Sequence, residues 1–163
     1  MIIGMRGHDF GRMEPRALAL AIREAGFEAT QLAFAKAFPA PAEQYMTPGA
    51  LSEIRRAFAG IVLPVMGCYV SASDRDPDVL AEAKARFKRS LSASVILGAG
   101  CVGTETTHFT FPESEREAAY ARLLDFTREV CAHAEQVHAL VGIEPVALHT
   151  LNTPELTRRL IAD

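Results

Sequence analysis

The sequence predicts an α/β fold: the first five βα units of a parallel (β/α)₈ barrel, forming one domain over residues 1–163. Short apolar segments alternate with amphipathic helical patterns along the whole chain, and this alternation is typical of parallel strands joined by crossover helices. The strands recur at the spacing of βαβ units. No GxxxxGK[ST] motif is present and no GxGxxG motif follows a strand, so the nucleotide-binding α/β folds are not predicted.

Five segments have the length and apolar character of buried strands. They are residues 1–6, 29–34, 61–70, 101–107 and 140–146. The third segment contains Pro64, which cannot donate a ladder hydrogen bond. We therefore expect that strand either to begin after Pro64 or to carry a bulge.

The segments between the strands carry helix start and stop signals. A proline at the first helical position, a preceding capping side chain, or a terminating glycine marks each one: Pro15 to Gly26, Thr47–Pro48 to Gly60, Asp76–Pro77, Ser114 with Glu117 as a capping box, and Thr153–Pro154. The stretch between the second strand and Thr47 is rich in proline and alanine and is predicted as a loop.

Composition and charge are those of an ordinary globular protein. Hydrophobic residues make up 49% of the chain, charged residues 23%, and the net charge is -3. No basic cluster indicates a nucleic-acid partner, and no apolar run is long enough for a membrane span. The N-terminal apolar run lacks a positive region before it, so we expect no signal peptide and a cytoplasmic location. The three cysteines form no CxxC motif and are expected to be reduced.

Polar side chains cluster where the predicted strands end. In parallel α/β folds the ligand lies beyond the carboxyl ends of the strands. The residues found there are His8, Gln31, Cys68, Tyr69, Glu105, His108, Glu144 and His149. Two carboxylates with imidazoles at one mouth suit a divalent cation and proton transfer beside a carbonyl.

Each candidate also has a structural alternative. Glu144 lies in an apolar strand, where a carboxylate must be paired, protonated or bound to a cation, so a functional role is favoured. Glu105 has a similar case but could instead pair with Arg6. Gln31 is either a hydroxyl-binding amide or an interior hydrogen-bond partner.

The histidines and the cysteine are less distinctive. His8 and His149 occupy strand-end or loop positions, where exposed or loop-bonding histidines are common. His108 is expected to point outwards. Cys68 is expected to pack in the barrel, because no adjacent base would activate it as a nucleophile.

The fifth strand and the loop after it resemble a known family. Gly-Ile-Glu-Pro-Val at 142–146, followed by His-Thr-Leu-Asn-Thr-Pro-Glu at 149–155, is similar to the corresponding segment of sugar phosphate isomerases/epimerases. These xylose isomerase-like TIM barrels include ketose 3-epimerases, hydroxypyruvate isomerase and inosose dehydratase. Residues 103–106 resemble the family's fourth strand and residues 30–32 its second.

The resemblance implies a metal-dependent sugar or sugar phosphate isomerase/epimerase that acts by proton transfer through an enediolate. By position, Glu144 is the family's strand-five metal ligand and a candidate acid/base, with Mn, Mg, Co or Zn as the divalent ion. His8, Gln31, Glu105 and His149 are then expected to bind substrate hydroxyls. The family's other ligands, an Asp, a His and a Glu, come from later strands that this sequence does not contain.

Two alternatives stay open beside the isomerase. One is an inosose dehydratase-like lyase of the same fold, and the other is a non-catalytic half-barrel that acts as an assembly or binding module. An endonuclease IV-type barrel is disfavoured because no histidine-rich cluster or basic DNA-binding face is visible. The first and fifth strands would be open edges, so the chain is either a fragment or pairs with another copy or another chain, and we expect a homo-oligomer. Because the remaining metal ligands of the family are missing, we expect no isomerase activity from the 163-residue chain alone.

Overall fold

The computed structural model describes residues 1–163. The strands are β1 (Gly4–Arg6), β2 (Ala29–Gln31), β3 (Val65–Gly67), β4 (Cys101–Glu105) and β5 (Val141–Glu144). The helices are α1 (Pro15–Glu24), α2 (Phe34–Ala37), α3 (Pro48–Ala57), α4 (Pro77–Leu97), α5 (Arg116–Val137) and α6 (Pro154–Ala162). Short 3-10 turns cover Gly7–Phe10, Ala42–Tyr45 and Glu113–Glu115.

All five strands are parallel and follow one another in chain order. β1 pairs with β2, and β3, β4 and β5 form a continuous three-stranded sheet. Single parallel bridges, Ala29 to Val62 and Leu32 to Met66, connect β2 to the β3 segment. The predicted architecture is therefore confirmed: a parallel α/β arrangement whose sheet is open, with β1 and β5 as its edges.

The proline in the third strand segment produces a bulge. Between the two bridges the β3 side contains one residue more than the β2 side, and Pro64 lies in this stretch. Regular pairing begins only at Val65, so both expectations for Pro64 are confirmed. The Pro64 carbonyl accepts from the Cys101 amide at 3.1 Å, and a Cβ on Gly100 would lie 2.7 Å from the same oxygen. This close backbone approach requires glycine at position 100.

The main hydrophobic core lies between the helices and one face of the sheet. Met66 and Val102, which are register partners, point into it and are almost fully buried. Phe87 of α4 and Phe126 of α5 pack edge to face with ring centroids 5.5 Å apart. Burial of one such side chain stabilises a fold by about 1.5–3 kcal/mol. Because the helices cover this face, the alternate strand residues point to the opposite, barrel-interior face.

Most predicted helix starts are confirmed. The hydroxyl of Thr47 accepts from the Ala50 amide, the carboxylate of Asp76 accepts from the Asp78 amide, and the hydroxyl of Thr153 accepts from the Leu156 amide. The Ser114 capping box is wrong. A 3-10 turn covers Glu113–Glu115, and α5 begins at Arg116, whose guanidinium bonds the Glu113 carboxylate instead.

The predicted loop after the second strand also differs from the structure. β2 ends at Gln31, and α2 with the Ala42–Tyr45 turn follows. Phe34, Phe38 and Tyr45 pack their rings together, with Phe34 and Phe38 4.9 Å apart. This burial outweighs the proline- and alanine-rich composition. None of the helices has the length and apolar character that a membrane crossing requires.

Candidate functional site

The carboxyl ends of the strands bring four polar side chains to the barrel-interior face. They are Gln31 of β2, Tyr69 just after β3, Glu105 of β4 and Glu144 of β5. A cavity of about 200 Å³ lies on this face, and Gln31, Tyr69 and Glu144 contribute to its wall. Sequence reasoning grouped these positions correctly, although it assigned no role to Tyr69.

Gly103 and Gly142 line this cavity, and a third glycine, Gly67, is in register with them. Gly67 pairs with Gly103, and Gly103 pairs with Gly142, so three neighbouring strands lack a side chain at the same level. A Cβ on Gly103 would lie 2.9 Å from Cγ1 of Val65. This row of glycines leaves room for a ligand beneath the polar strand ends. The glycines are visible in the sequence, but only the register places them side by side.

Glu105 and Glu144 are register partners on adjacent parallel strands. Neighbouring strands lie about 4.8 Å apart, and like charges placed opposite each other destabilise a sheet. Neither carboxylate has a salt bridge or a side-chain hydrogen bond. The alternative in which Glu105 pairs with Arg6 is wrong, because the Arg6 Nε donates to Asp9 Oδ2 at 3.0 Å. Glu144 thus lines the cavity, and Glu105 lies beside it on β4, with no counter-charge on either carboxylate.

The burial argument for Glu144 does not hold in this chain. Glu144 is exposed and Glu105 is half-buried, because no further strand covers the side of β5. What favours a cation at Glu144 is therefore its like-charged neighbour and not desolvation.

Tyr69 is held between an amide and an ammonium group. The Gln31 Nε2 donates to the Tyr69 hydroxyl at 2.8 Å, and the Lys36 Nζ lies 3.6 Å from the centre of the Tyr69 ring. Burial raises the pKa of Tyr69, and the charges of Glu105 and Glu144 raise it further. Tyr69 is consequently a neutral hydrogen-bonding group at neutral pH. Gln31 acts here as an interior hydrogen-bond partner, one of the two roles expected for it.

His8 lies on the 3-10 turn that follows β1. Its Nδ1 is buried and has no hydrogen-bond partner. Burial and then the positive charge of Lys36 lower the pKa of His8, so its imidazole is neutral at neutral pH. Because Nδ1 is buried, a substrate hydroxyl would have to bind the other ring nitrogen, Nε2.

His149 is positioned by a contact between two loops. It forms an isolated antiparallel bridge with His108, and the two rings lie 5.6 Å apart, edge to face. The Thr150 amide donates to the Thr107 carbonyl at 2.9 Å, and the His149 Nδ1 is buried without a partner. His108 is exposed, in agreement with the sequence analysis, but it also packs against the His149 ring.

The donors present in this chain do not complete a metal site. The structure contains no cluster of three or more His, Cys, Asp or Glu side chains suited to hold a metal ion. Catalytic zinc sites keep three protein ligands. Glu105 and Glu144 supply two carboxylates on adjacent strands. Cys68 is buried, and burial raises the pKa of its thiol, which fits packing and not nucleophilic catalysis.

Comparisons with known proteins agree with this architecture. A family model described as "Xylose isomerase-like TIM barrel" matches residues 19–163. No curated protein matches the sequence. Three similar known structures are 3-keto-D-glucoside 4-epimerase YcjR from E. coli (18% identity, TM-score 0.80), D-psicose 3-epimerase crystallised in the presence of D-fructose (20%, 0.77), and the IolI protein with a bound zinc atom (17%, 0.77).

These alignments cover 99% of this chain in each case, but 64%, 59% and 58% of the respective matched chains. At these identities the likeness establishes the fold. The chain spans about three fifths of the length of these structures.

Proposed function

Because the chain belongs to the xylose isomerase-like TIM barrel family, we propose that it forms part of an enzyme that isomerises or epimerises a sugar or sugar phosphate. The observation that carries the proposal is the pair Glu105 and Glu144, in register on β4 and β5 beside a cavity that Glu144, Gln31 and Tyr69 line. The sugar epimerases among the structural neighbours support it.

The proposed chemistry is proton transfer beside a carbonyl. A Glu144 carboxylate oxygen takes the proton from the carbon next to the substrate carbonyl, and the electron pair of that C–H bond moves into the C–C–O unit to give an enediolate. Delivery of a proton to the opposite face by a second acid on that side gives an epimer, and return of the proton from Glu144 to the neighbouring carbon gives an isomer. Gln31, Glu105, His8 and His149 bind substrate hydroxyls and hold this carbon against Glu144.

A divalent ion of the Mn, Mg, Co or Zn type is part of the proposal, with Glu144 as a ligand. When bound, such an ion polarises the substrate carbonyl. The zinc atom in the IolI structure supports this view. Since residues 1–163 provide two carboxylate donors, the remaining ligands would come from outside them.

The experiment uses the complete open reading frame that contains these codons, expressed as wild type and as Glu144→Gln. Each protein is incubated with Mn²⁺ and ketoses, free or phosphorylated, in D₂O, and NMR follows deuterium at the carbon beside the carbonyl. We expect exchange in the wild type and none in the variant. Loss of water from the substrate in place of exchange would identify the lyase alternative. Absence of both reactions would contradict the proposal and leave the non-catalytic binding module.

A further inference from the structure

A second cavity of about 200 Å³ lies outside the barrel interior, between α2, the Ala42–Tyr45 turn and α4. Its floor is the end of β3, at Gly67 and Cys68. Tyr69 lines this cavity as well as the interior one, so its side chain separates the two spaces.

The wall of this second cavity is mostly hydrophobic, but its charged side chains are mainly cations in a chain of net charge -3. Lys36, Arg86 and Arg89 contribute three positive charges, and Glu43 is the single carboxylate. Arg86 and Arg89, with Ser90, lie three and four residues apart on α4 and therefore share one helix face.

The cations are only partly neutralised. Arg89 pairs with Glu82 at 2.8 Å. Arg86 is half-buried and has no salt bridge or hydrogen bond, and Lys36 contacts only the Tyr69 ring. The Arg86 guanidinium therefore has no counter-charge within this chain and is available to an anionic ligand. Arginine is also well suited to bidentate binding of oxyanions.

We propose that Lys36, Arg86 and Arg89 form a binding site for a phosphate-type oxyanion. A volume of about 200 Å³ is sufficient for a single anionic group. The shared wall at Tyr69 places this group beside the interior cavity. The site is thus assigned to the phosphate of a phosphorylated sugar, an assignment that rests on the proposed function.

The first experiment titrates the 163-residue chain with inorganic phosphate at low salt and follows amide NMR signals. We expect saturable shifts at Gly67, Cys68 and Ser90. Arg86→Met keeps the aliphatic stem and removes the charge, so it should weaken binding about tenfold or more. Lys36→Met is the second variant. Arg55→Met is the matched control, because Arg55 is exposed on α3, away from the cavity, and has no ion pair.

Absence of saturable shifts, or equal weakening by the Arg55 control, would overturn the site. The dispersion of the amide signals shows whether each variant is folded. One folded variant, Arg86→Met or Lys36→Met, is enough to test the site.

The second experiment compares fructose 6-phosphate, fructose and inorganic phosphate in the same titration. If the substrate is phosphorylated, fructose 6-phosphate should bind more tightly than either of the other probes. It should also shift amide signals in both cavities, including that of Gly103. If phosphate binds but fructose 6-phosphate is no tighter, the cavity is a site for a free anion and the assignment to substrate is wrong. This readout is independent of deuterium exchange, so binding without exchange contradicts the proposed function and leaves the anion site intact.

Discussion

Glu105 and Glu144 stand side by side on β4 and β5, and neither has a cationic partner. Like-charged cross-strand neighbours destabilise a sheet by roughly 0.2–1 kcal/mol. Replacement of either carboxylate by the neutral amide should therefore stabilise the chain by this order of magnitude. Urea unfolding of Glu105→Gln and Glu144→Gln measures the effect. Glu24→Gln, at an exposed and unpaired position on α1, is the control and should change little.

The same replacement at Glu144 that stabilises the chain should weaken its binding of a divalent metal. The chain alone should bind Mn²⁺ weakly, because residues 1–163 contain no cluster of three donors. Calorimetric titration tests the expectation, and Glu144→Gln should weaken the small remaining heat. Tight one-to-one binding would show that Glu105, His8 or His149 completes a site within this chain.

A single methyl group added at Gly100, beside the bulge at Pro64, should strongly lower the stability of the chain. Gly100→Ala places a Cβ 2.7 Å from the Pro64 carbonyl oxygen, and overpacking of this kind costs typically about 1–3 kcal/mol. Gly49→Ala is the contrasting variant, since no atom lies within 4 Å of its Cβ and it occupies a helical position in α3. That variant should be stabilised by about 0.5–1 kcal/mol. Equal effects in thermal unfolding would contradict this account of Gly100.

His8 should make stability depend on pH. Burial and then the charge of Lys36 lower its pKa in the folded chain, and the nearby charges of Asp9 and Arg6 act in opposite directions. The unfolded chain then binds more protons in this window, so this contribution to stability is present above the ordinary histidine pKa of about 6.5 and is lost as pH falls below it. Unfolding of wild type and His8→Gln between pH 5 and 8 should show a smaller pH slope in the variant.

The open sheet edges predict association. β1 has a partner on one side only, and Ile3 beside it is 53% exposed. Unpaired edge strands pair with other chains unless a charge or proline blocks them. Sedimentation velocity should show association of the 163-residue chain, and Ile3→Lys should reduce it. A concentration-independent monomer would contradict the homo-oligomer prediction.

The order of elements and most helix starts follow from the sequence because they depend on local chemistry. Thr47, Asp76 and Thr153 cap helices through contacts with residues two or three positions away. The bulge at Pro64 is also predictable from local chemistry, because proline has no amide hydrogen to donate to the neighbouring strand. The Ser114 capping box failed because its predicted partner, Glu117, accepts from Arg159, and because residues 113–115 form a 3-10 turn.

The sequence by itself determined the alternating βα order, the parallel α/β class and the set of polar strand ends, since each depends on short-range patterns. The barrel family followed from the resemblance of the fifth strand and the loop after it. Only the tertiary structure decided which of these side chains are neighbours. Strand register places Glu105 beside Glu144 and aligns three glycines, and helix packing brings Lys36 to Tyr69 and turns Arg86 into a cavity. Such contacts join residues far apart in the chain. They depend on how whole elements pack, which no local pattern records.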